Sequence, residues 1–124
     1  RLARMGFSID SNDPRDASEI VSECLKQLEE HPLDNHTREQ LARVYFGRYG
    51  KPDLAWEEMN KLFANPFQKP RDISRWLNLM ADWHLEKNNA EGARQCLQQI
   101  ITRYPDLPFS EEAQDRLTRI KDLA

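Results

Sequence analysis

Between its prolines the chain repeats a single pattern. Apolar residues recur at i, i+3, i+4 and i+7, the spacing of one helix face, and not in the strict alternation of a strand. The seven prolines, Pro14, Pro32, Pro52, Pro66, Pro70, Pro105 and Pro108, all fall where this period breaks. Proline lacks an amide donor and clashes with the preceding turn, so it suits helix starts and loops and not helix middles. Val, Ile and Thr are sparse, which leaves little from which to build strands.

Six helices follow. Asp13 reads as an N-cap with Pro14 at the first helical position, opening a helix to Glu30 whose stripe is Ala17, Ile20, Val21, Cys24, Leu25 and Leu28. Thr37 and Gln40 have the spacing of a capping box at the next start. That helix carries Leu41, Ala42, Val44, Tyr45 and Tyr49 and ends at Gly50. Pro52 opens a third, with Leu54, Ala55, Met59, Leu62 and Phe63, and Pro70 a fourth, with Ile73, Trp76, Leu77, Met80, Ala81 and His84. Asn88 and Asn89 make a turn into a fifth, which carries Ala93, Cys96, Leu97, Ile100 and Ile101 and stops at Tyr104-Pro105. Ser110 reads as the cap of a sixth, with Glu111 and Glu112 in its first turn and Ala113, Leu117, Ile120 and Leu123 on its stripe. In residues 1–12, Leu2, Ala3, Met5 and Phe7 read as the remnant of a preceding helix.

The helices recur in pairs. Leu41-Ala42, Tyr45, Gly50, Ala55, Met59, Leu62 and Pro66 are echoed by Met80-Ala81, His84, Asn88, Ala93, Leu97, Ile100 and Pro105. Pro32 and Pro66 stand 34 residues apart and Pro66 and Pro105 stand 39 apart, the excess matching the Pro-rich loop from Asn65 to Arg71. In these marks the chain resembles the tetratricopeptide-repeat family, whose period is about 34 residues. The resemblance covers residues 13–124: the second helix of a partial repeat (13–32), repeats at 33–66 and 70–105, and a terminal capping helix (110–123). It departs from the family at one extra residue before Gly50 and at His84, where a Tyr is usual.

The resemblance implies an all-α, right-handed α-solenoid of antiparallel helix pairs, six to seven helices in all. Such hairpins cannot bury an apolar face alone and must stack on their neighbours, with polar outer sides at the ends. It also implies a non-catalytic scaffold or adaptor that holds a peptide or partner helix on the concave side, lined by the first helix of each pair. Here that stripe is Glu39, Arg43 and Phe46, then Asn78, Asp82 and Leu85, then Glu112, Arg116 and Arg119. Each trio has i, i+4, i+7 spacing. The mixture suits a polar peptide with one or two apolar anchors, against the alternative of an ordinary solvated face. The family's chaperone-binding members clamp a C-terminal carboxylate with Lys and Asn. Glu39 and Arg43 stand where the first of these belong, so that ligand is not carried over.

Composition narrows the function further. The chain has 124 residues, 39% of them hydrophobic, with a net charge of −3. That length suits one domain able to fold without disulfide or metal staples. Mild acidity argues against a nucleic-acid or anionic-membrane binder, and no run of about 18 apolar residues exists to insert in a bilayer. Cys24 and Cys96 sit on apolar stripes and read as core residues, which favours a reducing compartment. Trp76 reads as core; Trp56 and Trp83 divide between packing and partner anchoring.

No catalytic set is found. HExxH, CxxC, GxSxG and a Gly-rich phosphate loop are all missing. His31 and His36 lack a one-face metal spacing, and the acid pairs Glu29-Glu30 and Glu57-Glu58 read as solvated faces. We therefore expect no enzyme, no cofactor and no metal, and a protein or peptide partner. The alternative is a self-association module that forms a homo-oligomer within a larger, membrane-anchored bacterial protein. The open edge of the helix at 13–30 favours that reading. Under the partner-binding reading too the context is a bacterial multi-domain or membrane-anchored protein, and Arg1 and Arg4 read as a juxtamembrane basic flank on the cytoplasmic side.

Overall fold

The computed structural model describes residues 15–123, with side chains through residue 120. The remnant helix expected in 1–12, the basic flank at Arg1 and Arg4, and the Asp13-Pro14 start lie outside them. Among the described residues every regular element is a helix: α1 (Ala17–Glu30), α2 (Asn35–Gly47), α3 (Pro52–Ala64), α4 (Pro70–Glu86), α5 (Ala90–Arg103) and α6 (Pro108–Leu123). No helix among them is long and apolar enough to cross a membrane. The chain forms two compact units that divide between Pro66 and Phe67.

In the first unit α2 packs on both α1 and α3. Ile20, Cys24 and Leu28 of α1 meet Leu41 and Val44 of α2 in one buried cluster, with Ala17, Val21 and Tyr45 packed against it. The helix starts differ from those expected, for a reason of hydrogen bonding. Asp16 caps α1, its carboxylate accepting from the Ser18 N–H. Asp34 caps α2, where the sequence suggested Thr37. Its carboxylate accepts from the Thr37 N–H at 3.1 Å and from the Thr37 hydroxyl at 2.8 Å. A carboxylate at the cap satisfies two donors, so Thr37 becomes the capped residue. Gln27 of α1 also donates to Asp34, at 3.1 Å, which ties the end of α1 to the start of α2.

Burial raises the Asp34 pKa, but the hydrogen bonds from Thr37 and Gln27, with the His36 charge, outweigh it and hold the carboxyl below its ordinary 3.8. The folded chain thus binds this proton less readily than the unfolded one. Asp34 stabilises fully above about pH 4, and this is lost as pH falls through the lowered folded value. Asp34→Ala should cost about 1 kcal/mol at neutral pH, as a lost cap does. Urea melts at pH 7 and pH 3 test this; a cost that does not shrink at pH 3 would contradict the assignment.

In the second unit α5 packs on both α4 and α6. Its buried hydrophobic residues are Ile73, Trp76, Leu77, Ala81 and Trp83 of α4, Ala93, Cys96, Leu97 and Ile100 of α5, and Ala113 and Ile120 of α6. At the α4–α5 turn Asn88 takes a left-handed φ of 59°. The N–H groups of Asn88 and Asn89 return to the carbonyls of Leu85 and His84, at 3.0 and 2.8 Å. This is the Schellman closure, with Asn in place of the usual Gly. Gly92 then passes so close to His84 that a Cβ there would lie 2.6 Å from Nδ1. Helix α6 begins at Pro108 and not behind Ser110, because proline at the first position is already preset for a helix.

Ala42, Ala55, Ala81 and Ala93 are all fully buried. Four small residues buried completely on paired helices fit a close approach of those helices. Ala93→Leu should cost about 1–3 kcal/mol through overpacking, read as a thermal midpoint several degrees lower. An unchanged midpoint would mean that α4 and α5 are not held in close approach there.

Candidate functional site

The residues expected on the first-helix faces fall in both units, and each set is described within its own. On α2, Arg43 donates from Nε and Nη2 to the same Glu39 oxygen, at 3.0 and 2.9 Å. Glu39 is buried and Arg43 is partly exposed. Phe46 is also buried, its ring 6.4 Å from that of Trp56 and tilted by 51°. Arg43 is thus the most accessible of this trio.

On α4 and α6 the arrangement is more open. Arg116 of α6 reaches α4 with both ends of its guanidinium. Nη1 donates to Asn78 Oδ1 at 2.8 Å and Nη2 to Asp82 Oδ1 at 2.7 Å. Asn78 is itself fixed by donating to the Ser74 carbonyl at 3.0 Å. Leu85 is half-buried, and Glu112 and Arg119 are exposed. The structure therefore brings together Asn78, Asp82 and Arg116, and separately Glu39 with Arg43. The Asp82 side chain is 59% exposed, so the ion pair adds little to stability. What it does is join the Arg116, Asn78 and Asp82 side chains in one hydrogen-bonded row between α4 and α6.

The chemistry of other groups is muted. Both cysteines are free and buried. Burial pushes the Cys24 thiol up to about 12 and the Cys96 thiol to about 11, which keeps both out of the reactive thiolate form at neutral pH. Burial pushes the His84 pKa below its ordinary value. Its Nδ1 lies 3.2 Å from the Asn89 amide nitrogen. No group of three or more His, Cys, Asp and Glu among the described residues could hold a metal.

Two side chains depart from the sequence reading. Glu58, expected on a solvated face beside Glu57, is buried and paired with Arg38 at 2.7 Å. Its helical phase announces this, since Ala55, Glu58, Met59 and Leu62 share one face. Phe67, which no pattern singled out, is fully exposed. Trp76 and Trp83 are both buried, and Trp56 is partly so. Compared with protein-family models, with curated proteins and with solved structures, the chain matches none.

Proposed function

We propose that this is a divergent tetratricopeptide-type repeat domain, a right-handed solenoid that binds a protein segment on the faces of its first helices. The reading rests above all on Arg116. Helix α5 packs on both α4 and α6, yet the side chains of α4 and α6 meet directly through the Arg116 fork. First helices whose side chains touch across an intervening second helix are what a stacked-hairpin groove requires. The mechanism is rigid display: a groove already in shape orders its ligand at lower entropic cost. The partner is a polar peptide with one or two apolar anchors; in the second unit an anchor rests near Leu85 and polar groups on Arg116 and Asn78, and in the first unit Arg43 is the accessible polar group. In this reading the domain acts without catalysis.

Combined charge reversal, Arg43→Glu with Arg116→Glu, tests the groove. Partners captured from a lysate of the native host should fall at least about tenfold, the scale of losing a hot spot, with helicity intact by circular dichroism. Reversal of the exposed Glu57, on an outer face, should leave capture unchanged. If the double variant retains the same partners, the groove is not the binding surface. If wild-type protein shows only a second copy of itself by light scattering, self-association replaces this reading.

A further inference from the structure

Phe67 is 99% exposed, the most exposed large hydrophobic side chain among the described residues. Its backbone stands in the left-handed region, at φ 62°. Only one other described non-glycine residue does so, Asn88, whose conformation is explained by closure of the α4 helix end. A bulky residue with positive φ is uncommon and costs backbone energy that a glycine would avoid. In this conformation the chain holds an aromatic ring in water.

The residues that flank the ring are hydrogen-bonded, each within its own unit. On one side the Asn65 N–H donates to the Leu62 carbonyl at 3.2 Å. The Asn65 side-chain amide donates to Asn35 Oδ1 at 2.8 Å. Pro66 then fixes the next φ. On the other side the Lys69 carbonyl accepts from the N–H groups of Asp72 and Ile73, each at 3.0 Å. The residues that follow Phe67 along the chain are mostly basic among the charged ones. Lys69, Arg71 and Arg75 are all exposed, and the single acid from Asn65 to Arg75 is Asp72, half-buried in the first turn of α4. This local positive charge contrasts with the chain's net charge of −3.

We propose that Phe67 anchors a second protein-docking site. Its partner presents an apolar pocket sized for one benzyl ring, with carboxylates at the rim to meet Lys69 and Arg71. Aromatic anchors filling a dry pocket dominate interface energetics, and complementary rim charges mainly speed encounter. The site is independent of the groove, and Arg43→Glu with Arg116→Glu leaves it intact.

The test places p-benzoylphenylalanine at position 67 in the full chain, expressed in the native host and irradiated. The expected adduct is one dominant protein, cross-linked within an apolar pocket bordered by Asp or Glu. Binding of that purified protein is then followed by fluorescence anisotropy. Phe67→Ala should weaken it by at least about tenfold with an unchanged thermal midpoint. Phe67→Gly removes the ring but relieves the backbone, so it should bind as weakly as the alanine variant while melting higher. Lys69→Glu with Arg71→Glu should slow association and flatten its salt dependence. The proposal is overturned if the adducts match those from the same probe at exposed Leu33, or if the adduct is a second copy of this chain. It is also overturned if Phe67→Gly binds like the wild type.

Discussion

Arg38→Met should destabilise the first unit by about 3 kcal/mol, at the lower end of the range for stranding one member of a buried ion pair. Arg38 Nη1 donates to Glu58 Oε1 at 2.7 Å and Nη2 donates to the Pro32 carbonyl at 3.1 Å. The two side chains are 13% and 10% exposed. Without the guanidinium, Glu58 keeps only Lys61, at 3.2 Å, and that ammonium is more than half exposed and well screened. The loss stays at the low end because Lys61 and a little water still reach the carboxylate. Glu58→Leu should cost as much, by leaving a cation buried. The double variant should recover most of the loss, since apolar replacements of a buried pair are often neutral or better. Urea unfolding of the four proteins forms the cycle. Single variants each costing under about 1 kcal/mol would show the pair to be solvated in effect.

This pair also marks where sequence reading reaches its limit. Hydrophobic period with proline and cap punctuation locates all six helices, and the small residues Ala42, Ala55, Ala81 and Ala93 are each buried. Helix starts were read less well. Thr37 and Ser110 have the right chemistry for a cap, but Asp34 offers a stronger acceptor and Pro108 an earlier preset turn. Position on a helix predicts burial only when residue type is set aside, as Glu58 and Glu39 show. Both are carboxylates buried beside an arginine partner, and pairing of that kind is a property of neighbouring side chains in space.

The candidate site divides in the same way. The i, i+4 spacing puts Asn78 and Asp82 on one side of α4, and Arg116 of α6 bonds to both. It did not foresee that Phe46 is covered in part by Trp56, because a stripe pattern carries no information about which neighbour leans over it. Phe67 was invisible for the opposite reason. A single residue in a loop has no period, and its exposure follows from a left-handed backbone angle that no residue type but glycine or asparagine advertises.

Trp76→Ala should cost about 3–5 kcal/mol, the range for emptying a core site of a large aromatic. Trp76 is 1% exposed and lies in the middle of α4, among the largest fully buried side chains of the molecule. Little of that cost comes from its contact with Arg75, whose guanidinium carbon sits 5.9 Å from the ring centroid. A cation over a ring at an exposed site contributes only about 0.5–1 kcal/mol. Most comes from apolar area returned to water and from the cavity left behind. Trp76→Phe should therefore recover much of the loss, and Trp56→Ala, at a partly buried position, should cost less than Trp76→Ala. A domain of this size has about 5–15 kcal/mol to lose, so the alanine variant sits near the edge of unfolding. The consequence for binding follows from the position of Asn78 and Asp82 on the same helix. If α4 is loosened, the acceptors that hold the Arg116 fork lose their fixed spacing. Native-state hydrogen exchange should show lowered protection along α4 in Trp76→Ala before global unfolding, and ligand affinity falling with it. Full α4 protection in that variant, with a denaturation midpoint like the wild type's, would mean that the tryptophan does not support the helix that carries the proposed site.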